Sequence, residues 1–151
     1  MALENDIRFL SKVPLFAGFS TEHLRLLAFG AETMHFNAGR TIFREDDAAD
    51  CAYVVVSGTV RLLQKKRGEM VETRKVTTGA ALSELALLTP ARRTMTAQAE
   101  TDVETIRVSR SAVRRILEEY PELAAGMYRE ISNNLRGMIN DITRLDKHFA
   151  E

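Results

Sequence analysis

Residues 79–99 run GAALSELALLTPARRTMTAQA: a glycine, a short apolar turn, a proline and then two adjacent arginines. From Leu85 to Ala99 the only charged residues are Arg92 and Arg93, and no carboxylate stands between Glu84 and Glu100. A guanidinium buried beside an apolar run needs a partner, and its planar fork of donors suits phosphate or carboxylate. A solvated surface loop would also accommodate two arginines after a proline. Just upstream, Gly79 ends a strand and Ser83 reads as the cap of a short helical turn, Glu84 to Leu88. An exposed helix N-terminus there would attract an anion through its free N–H groups and dipole. Ionised Glu84 is an acceptor-only group suited to sugar hydroxyls, and the same residue also fits the first turn of a helix for the dipole alone.

Outward from this stretch the pattern changes period twice. Apolar residues at Ile7, Leu10, Val13 and then Leu24, Leu27, Ala28 recur every three to four residues, which predicts two short helices over about 6–30, the second capped by Ser20 or Thr21. From about 32 to 108 the runs are short and β-rich: Thr33 to Phe36, Thr41 to Phe43, Ala52 to Val56, Thr59 to Leu63, Met70 to Val76, Thr94 to Ala99 and Val103 to Val108. Gly39, Gly58, Gly68, Gly79 and the Asp46-Asp47 pair punctuate them. So many short strands point to a small jelly roll. Over 109–151 the helical period returns, with Pro121 at the start of a last helix and Leu135, Met138, Ile142, Leu145 and Phe149 in a heptad-like stripe. The fold class is therefore mainly β with flanking helices, and residues 1–151 read as a single domain.

Composition narrows the function. The chain has 151 residues, 45% hydrophobic and 28% charged, enough to bury a core without staples. Lys+Arg and Asp+Glu number 21 each, so bulk charge draws it to neither nucleic acid nor an anionic membrane, and any anion site is local. The single cysteine, Cys51, rules out an internal disulfide and cysteine-based metal clusters, and a reducing cytoplasm fits best. Glu4 and Asp6 stand where a secretory leader wants positive charge, and the uncharged run Cys51 to Val60 is far too short for a membrane span. His23, His35 and His148 lie in no metal-binding spacing, Ser57-Gly58 lacks the frame of a nucleophile elbow, and Cys51, with no basic activator near it in sequence, reads as inert packing.

Taken together, the pieces resemble the cyclic-nucleotide-binding domain of the catabolite-activator and protein-kinase-regulatory-subunit type. The likeness is carried by Pro14-Leu15-Phe16 with Gly18 and Leu24; by Phe36, Gly39, Ile42-Phe43 and Asp47; by Ala52-Tyr53-Val54-Val55 with Ser57-Gly58; and by Gly79, Ser83-Glu84-Leu85-Ala86-Leu87-Leu88, Pro90, Arg93 and Ala99. The resemblance implies a β-roll with N-terminal helices and a C-terminal lid helix, with residues 79–99 forming a phosphate-binding cassette. It implies that Glu84 holds the ribose 2′-hydroxyl, that Arg93 holds the cyclic phosphate, with its neighbour Arg92 the less favoured candidate, and that Gly79, Ser83 and the amides near Leu85 and Ala86 complete the cradle. Thr94 stands where a hydroxyl favours guanine in some members. Met138, Ile139, Ile142 and Leu145 are lid candidates over the base. The family's usual glycine is Ser83 here, and its usual turn glycine is Asp46.

The expected function is that of a cytoplasmic sensor for cAMP or cGMP, not an enzyme, with no cofactor and no metal, whose C-terminal helix moves on binding and signals to an effector protein in trans. The alternative is a degenerate roll acting as a ligand-independent interaction module. Residues Ser109 to Glu151 balance seven basic against seven acidic side chains, so no DNA binding by this chain itself is expected. The Leu135–Phe149 stripe reads as packing against the roll or as a homodimer seam.

Overall fold

The computed structural model describes residues 2–133 of the chain. Helix α1 (Ala2–Ser11), a 3-10 turn (Pro14–Phe16) and α2 (Thr21–Phe29) precede ten strands, and α3 (Arg110–Glu119) and a helical stretch over residues 122–133 follow them. The start of α2 is set by Ser20, whose Oγ accepts from the His23 amide at 3.2 Å, while the His23 Nδ1 accepts from the Ser20 amide at 3.1 Å. Two donors that the first turn would leave open are thereby satisfied. Ser109 caps α3 in the same way, accepting from the Ala112 amide.

The strands are β1 (Glu32–Phe36), β2 (Thr41–Phe43), β3 (Ala48–Ala49), β4 (Cys51–Ser57), β5 (Val60–Lys66), β6 (Glu69–Val76), β7 (Ala81–Leu82), β8 (Ala91–Arg92), β9 (Thr96–Ala99) and β10 (Val103–Ser109). They form two four-stranded antiparallel sheets, β1-β10-β4-β7 and β2-β9-β5-β6, and a small pair, β3-β8. The first sheet is covered on both faces. Ala52, Val54, Ile106 and Val108 join Leu10, Leu27, Val113 and Met127 in a core against the helices. Cys51, Tyr53, Val55 and Val103 face Val60, Leu62, Ala97 and Ala99 in a second core inside the roll. Burial on both faces explains why β4 reads as the unbroken run CAYVV rather than as an alternation.

Helix α1 begins at Ala2 rather than near residue 6, and two strand boundaries differ from the sequence reading for physical reasons. Strand β5 continues to Lys66 and pairs with β6 through a hairpin whose last residues are charged, so hydrophobicity stops marking the strand before its hydrogen bonds end. The strand expected from Thr94 begins at Thr96, because Arg93 is tied to the preceding loop: its amide donates to the Asp47 carbonyl and its carbonyl accepts from the Asp46 amide. The two-residue strands β3, β7 and β8 are too short to show a period. Gly58 is required at its turn, since φ is +93° and a Cβ there would collide with the Asp102 carbonyl and Val103. Among the described residues no helix is long and apolar enough to cross a membrane. Met138, Ile139, Ile142, Leu145 and the Leu135–Phe149 stripe lie outside the described residues.

Candidate phosphate-binding cassette

Gly79 opens the cassette with φ +93°, and its amide donates to the Val55 carbonyl at 2.8 Å, pinning the turn to β4. Strand β7 then pairs with Tyr53 and Val54, and the chain enters a 3-10 turn (Glu84–Leu87) whose Ala86 and Leu87 are buried in the fold. Ser83 is left-handed, with φ 66° and ψ 42°, and its side chain makes no capping hydrogen bond. The expected serine cap is thus corrected: capping needs extended backbone at the cap residue, whereas this turn needs the conformation that glycine adopts at least cost. The expected exposed helix N-terminus reduces to a single tight turn, in which the Ala86 amide already donates to the Ser83 carbonyl at 3.1 Å. Leu85 is largely exposed. Asp46 is also left-handed, at φ 71°.

The two arginines have opposite fates. Arg92 is exposed on β8, in the small β3-β8 pair, and donates from Nη1 to the Asp46 carbonyl at 2.7 Å. Arg93 turns inward and is 4% exposed. Its Nη1 donates to the Cys51 carbonyl at 2.8 Å and its Nη2 to Cys51 Sγ at 3.1 Å, while the guanidinium carbon lies 4.5 Å from the centre of the Phe43 ring and 5.6 Å from that of Tyr53. Among the described residues no carboxylate pairs with it, and its buried Nε has no hydrogen-bond partner. The aromatic faces return about 0.5–2 kcal/mol. Desolvating a guanidinium costs several kcal/mol, so the site retains a need for an anion.

Glu84 is half-buried, and burial, followed by the neighbouring charge of Glu130 on the 122–133 helix, pushes its carboxyl above the ordinary value. No hydrogen bond or ion pair joins Glu84 to Arg93 among the described residues: one carboxyl senses the last described helix, and the guanidinium sits in the roll. Thr94 is exposed, and its carbonyl accepts from Gln64 Nε2 at 3.3 Å. Sequence reasoning does not single out Cys51, Phe43, Tyr53 or Glu130 as site residues. The alternation of β4 places Cys51 and Tyr53 on one face, the only local signal for them. Cys51 has no basic neighbour in sequence, and the roll supplies Arg93 from 42 residues away.

Residues 33–120 match the family described as the cyclic nucleotide-binding domain. Among solved structures the chain is similar to a cyclic nucleotide-binding-like protein from Brucella abortus, at 50% identity and TM-score 0.71, covering 75% of this chain and 97% of that one. It is also similar to the regulatory domain of Toxoplasma gondii PKA solved with cAMP, at 26% identity and TM-score 0.72, covering 76% and 44%. A curated relative, the cGMP-dependent protein kinase isozyme 1 of Drosophila melanogaster, is 31% identical over 88% of this chain and 18% of the kinase. The curated relatives are longer proteins, of which the chain spans between 7% and 61%.

Proposed function

The chain belongs to the cyclic nucleotide-binding domain family, and from that premise we propose that it is a regulatory sensor that takes cAMP or cGMP into its roll. The observation that carries this reading is Arg93, a guanidinium withdrawn from solvent, unpaired by any carboxylate among the described residues and left with a buried N–H unused. An exocyclic phosphate oxygen supplies the charge and the acceptors that this group lacks. Glu84 accepts from the ribose 2′-hydroxyl, and Gly79, Ser83 and the Leu85–Ala86 backbone shape the cassette around the ring phosphate. Arg92, exposed and engaged with Asp46, stays outside the site. Thr94 and the lid residues decide the base. In this reading the domain has no catalysis of its own and sits in the cytoplasm. Its output is a shift of the C-terminal helix toward a partner, driven by the ligand's differential affinity for the two helix positions.

Calorimetry with cAMP and cGMP tests it. A micromolar ligand at about 100 times its Kd stabilises the fold by about 2.7 kcal/mol, visible as a raised Tm. Arg93→Ala should weaken binding about 10- to 100-fold through loss of a charge-assisted contact. Neither heat nor stabilisation from either nucleotide would leave the second reading, a ligand-independent interaction module, which the left-handed Ser83 in the cassette favours.

A further inference from the structure

Every bidentate edge of the Arg93 guanidinium includes a nitrogen already bonded to Cys51, because Nη1 meets the carbonyl and Nη2 meets Sγ. Both partners are buried, Cys51 being 2% exposed. A phosphate captured in the usual two-bond geometry must share those nitrogens or pull the fork away from the cysteine. The backbone carbonyl is the same whatever residue occupies position 51, so the thiol is the part of this contact that sequence can tune. Among the described residues the buried Nε has no partner, so they offer the arginine fewer acceptors than it has donors, which makes each acceptor count.

We propose that Cys51 is a positioning residue for Arg93, whose thiol holds the guanidinium and competes with an incoming phosphate for it. This rests on the reading of Arg93 as the phosphate receptor. The thiol therefore sets the affinity for the anionic part of the ligand and leaves the base and sugar untouched.

Two measurements on the full chain test it. Cys51 is the only cysteine, so alkylation reports it alone: sulfur bonds to carbon, iodide leaves, and the thiol proton passes to solvent. Exposure cancels in the ratio of rates with anionic iodoacetate and neutral iodoacetamide. With the guanidinium beside the sulfur, that ratio should fall about threefold or more in Arg93→Leu. Inorganic phosphate at constant ionic strength should lower it in the unmodified chain. An unchanged ratio in Arg93→Leu overturns the proposal. In titrations, Cys51→Ala should bind the cyclic nucleotide about three- to tenfold more tightly, the loss of one competing hydrogen bond. The parent nucleoside, which lacks phosphate, should bind as before, and Cys51→Ser, whose hydroxyl restores an acceptor, should reverse the gain. Equal changes for nucleotide and nucleoside would mean general packing and overturn the role. If no variant takes up a cyclic nucleotide, the sensor reading fails, and the alkylation ratio with and without phosphate decides the positioning role by itself.

Discussion

Glu84 and Arg93 stand close in sequence but in different electrostatic settings. Arg93 lies over the Phe43 and Tyr53 rings inside the roll, whereas Glu84 is pushed upward by burial and by Glu130. An acid whose folded value is raised binds its proton more tightly when folded. Its effect on stability is most favourable below the ordinary value near 4.5 and is lost as pH rises through the folded value. Glu84→Gln should therefore be more stable than the parent chain at neutral pH, with the gap closing once both are measured below pH ~4. Thermal unfolding across that range checks it, and a gap independent of pH would contradict it. The same variant should bind cyclic nucleotide about tenfold more weakly, since a neutral amide oxygen is a poorer acceptor for a sugar hydroxyl than a carboxylate.

The cassette turn is where an element's geometry overrides its local sequence. Ser83 carries backbone angles that cost a residue with a Cβ about 1–2 kcal/mol, while glycine loses about 0.5–1 kcal/mol more entropy on folding. The first effect wins, so Ser83→Gly should raise stability by about 0.5–1 kcal/mol, read as an increase in the denaturant midpoint at unchanged slope. A decrease would show that the serine hydroxyl makes a stabilising contact at this turn. The helix starts behave in the opposite way: Ser20 and Ser109 have the extended angles of a cap and both accept from the first turn. Ser109 shows its cap only in the structure, whereas Ser20, with Thr21 as the alternative, is legible from sequence because a serine before a periodic apolar run has one dominant use. Ser83 is not, because the same residue type before an equally apolar run is bent by pairing of β7 with β4.

At the scale of the whole molecule, one sheet separates two cores with different duties. Val54 is 1% exposed and faces the helices, and its neighbour Val55 is 0% exposed and faces the roll that holds Arg93. Each should cost about 2 kcal/mol when cut to alanine. Val54→Ala should lower stability while leaving nucleotide affinity within about twofold of the parent. Val55→Ala should lower both, because the cavity opens in the wall on which Cys51 and Tyr53 lie. Parallel denaturation and binding titrations compare them, and equal affinity for the two variants would mean that the cores are not separable.

The sequence by itself determined the helix-strand-helix order of the chain and the isolation of Arg92 and Arg93 from any carboxylate nearby in sequence, because periodicity and local charge are properties of neighbouring residues. Whether an arginine is solvated or buried is not a local property. The family resemblance favours Arg93 over Arg92, but only the tertiary structure shows Arg92 exposed on β8 and Arg93 turned into the roll against Cys51, Phe43 and Tyr53. That decision depends on strands distant in the chain closing around one guanidinium, and it is this closure that makes a buried cation without a counter-ion among the described residues into a candidate receptor for phosphate.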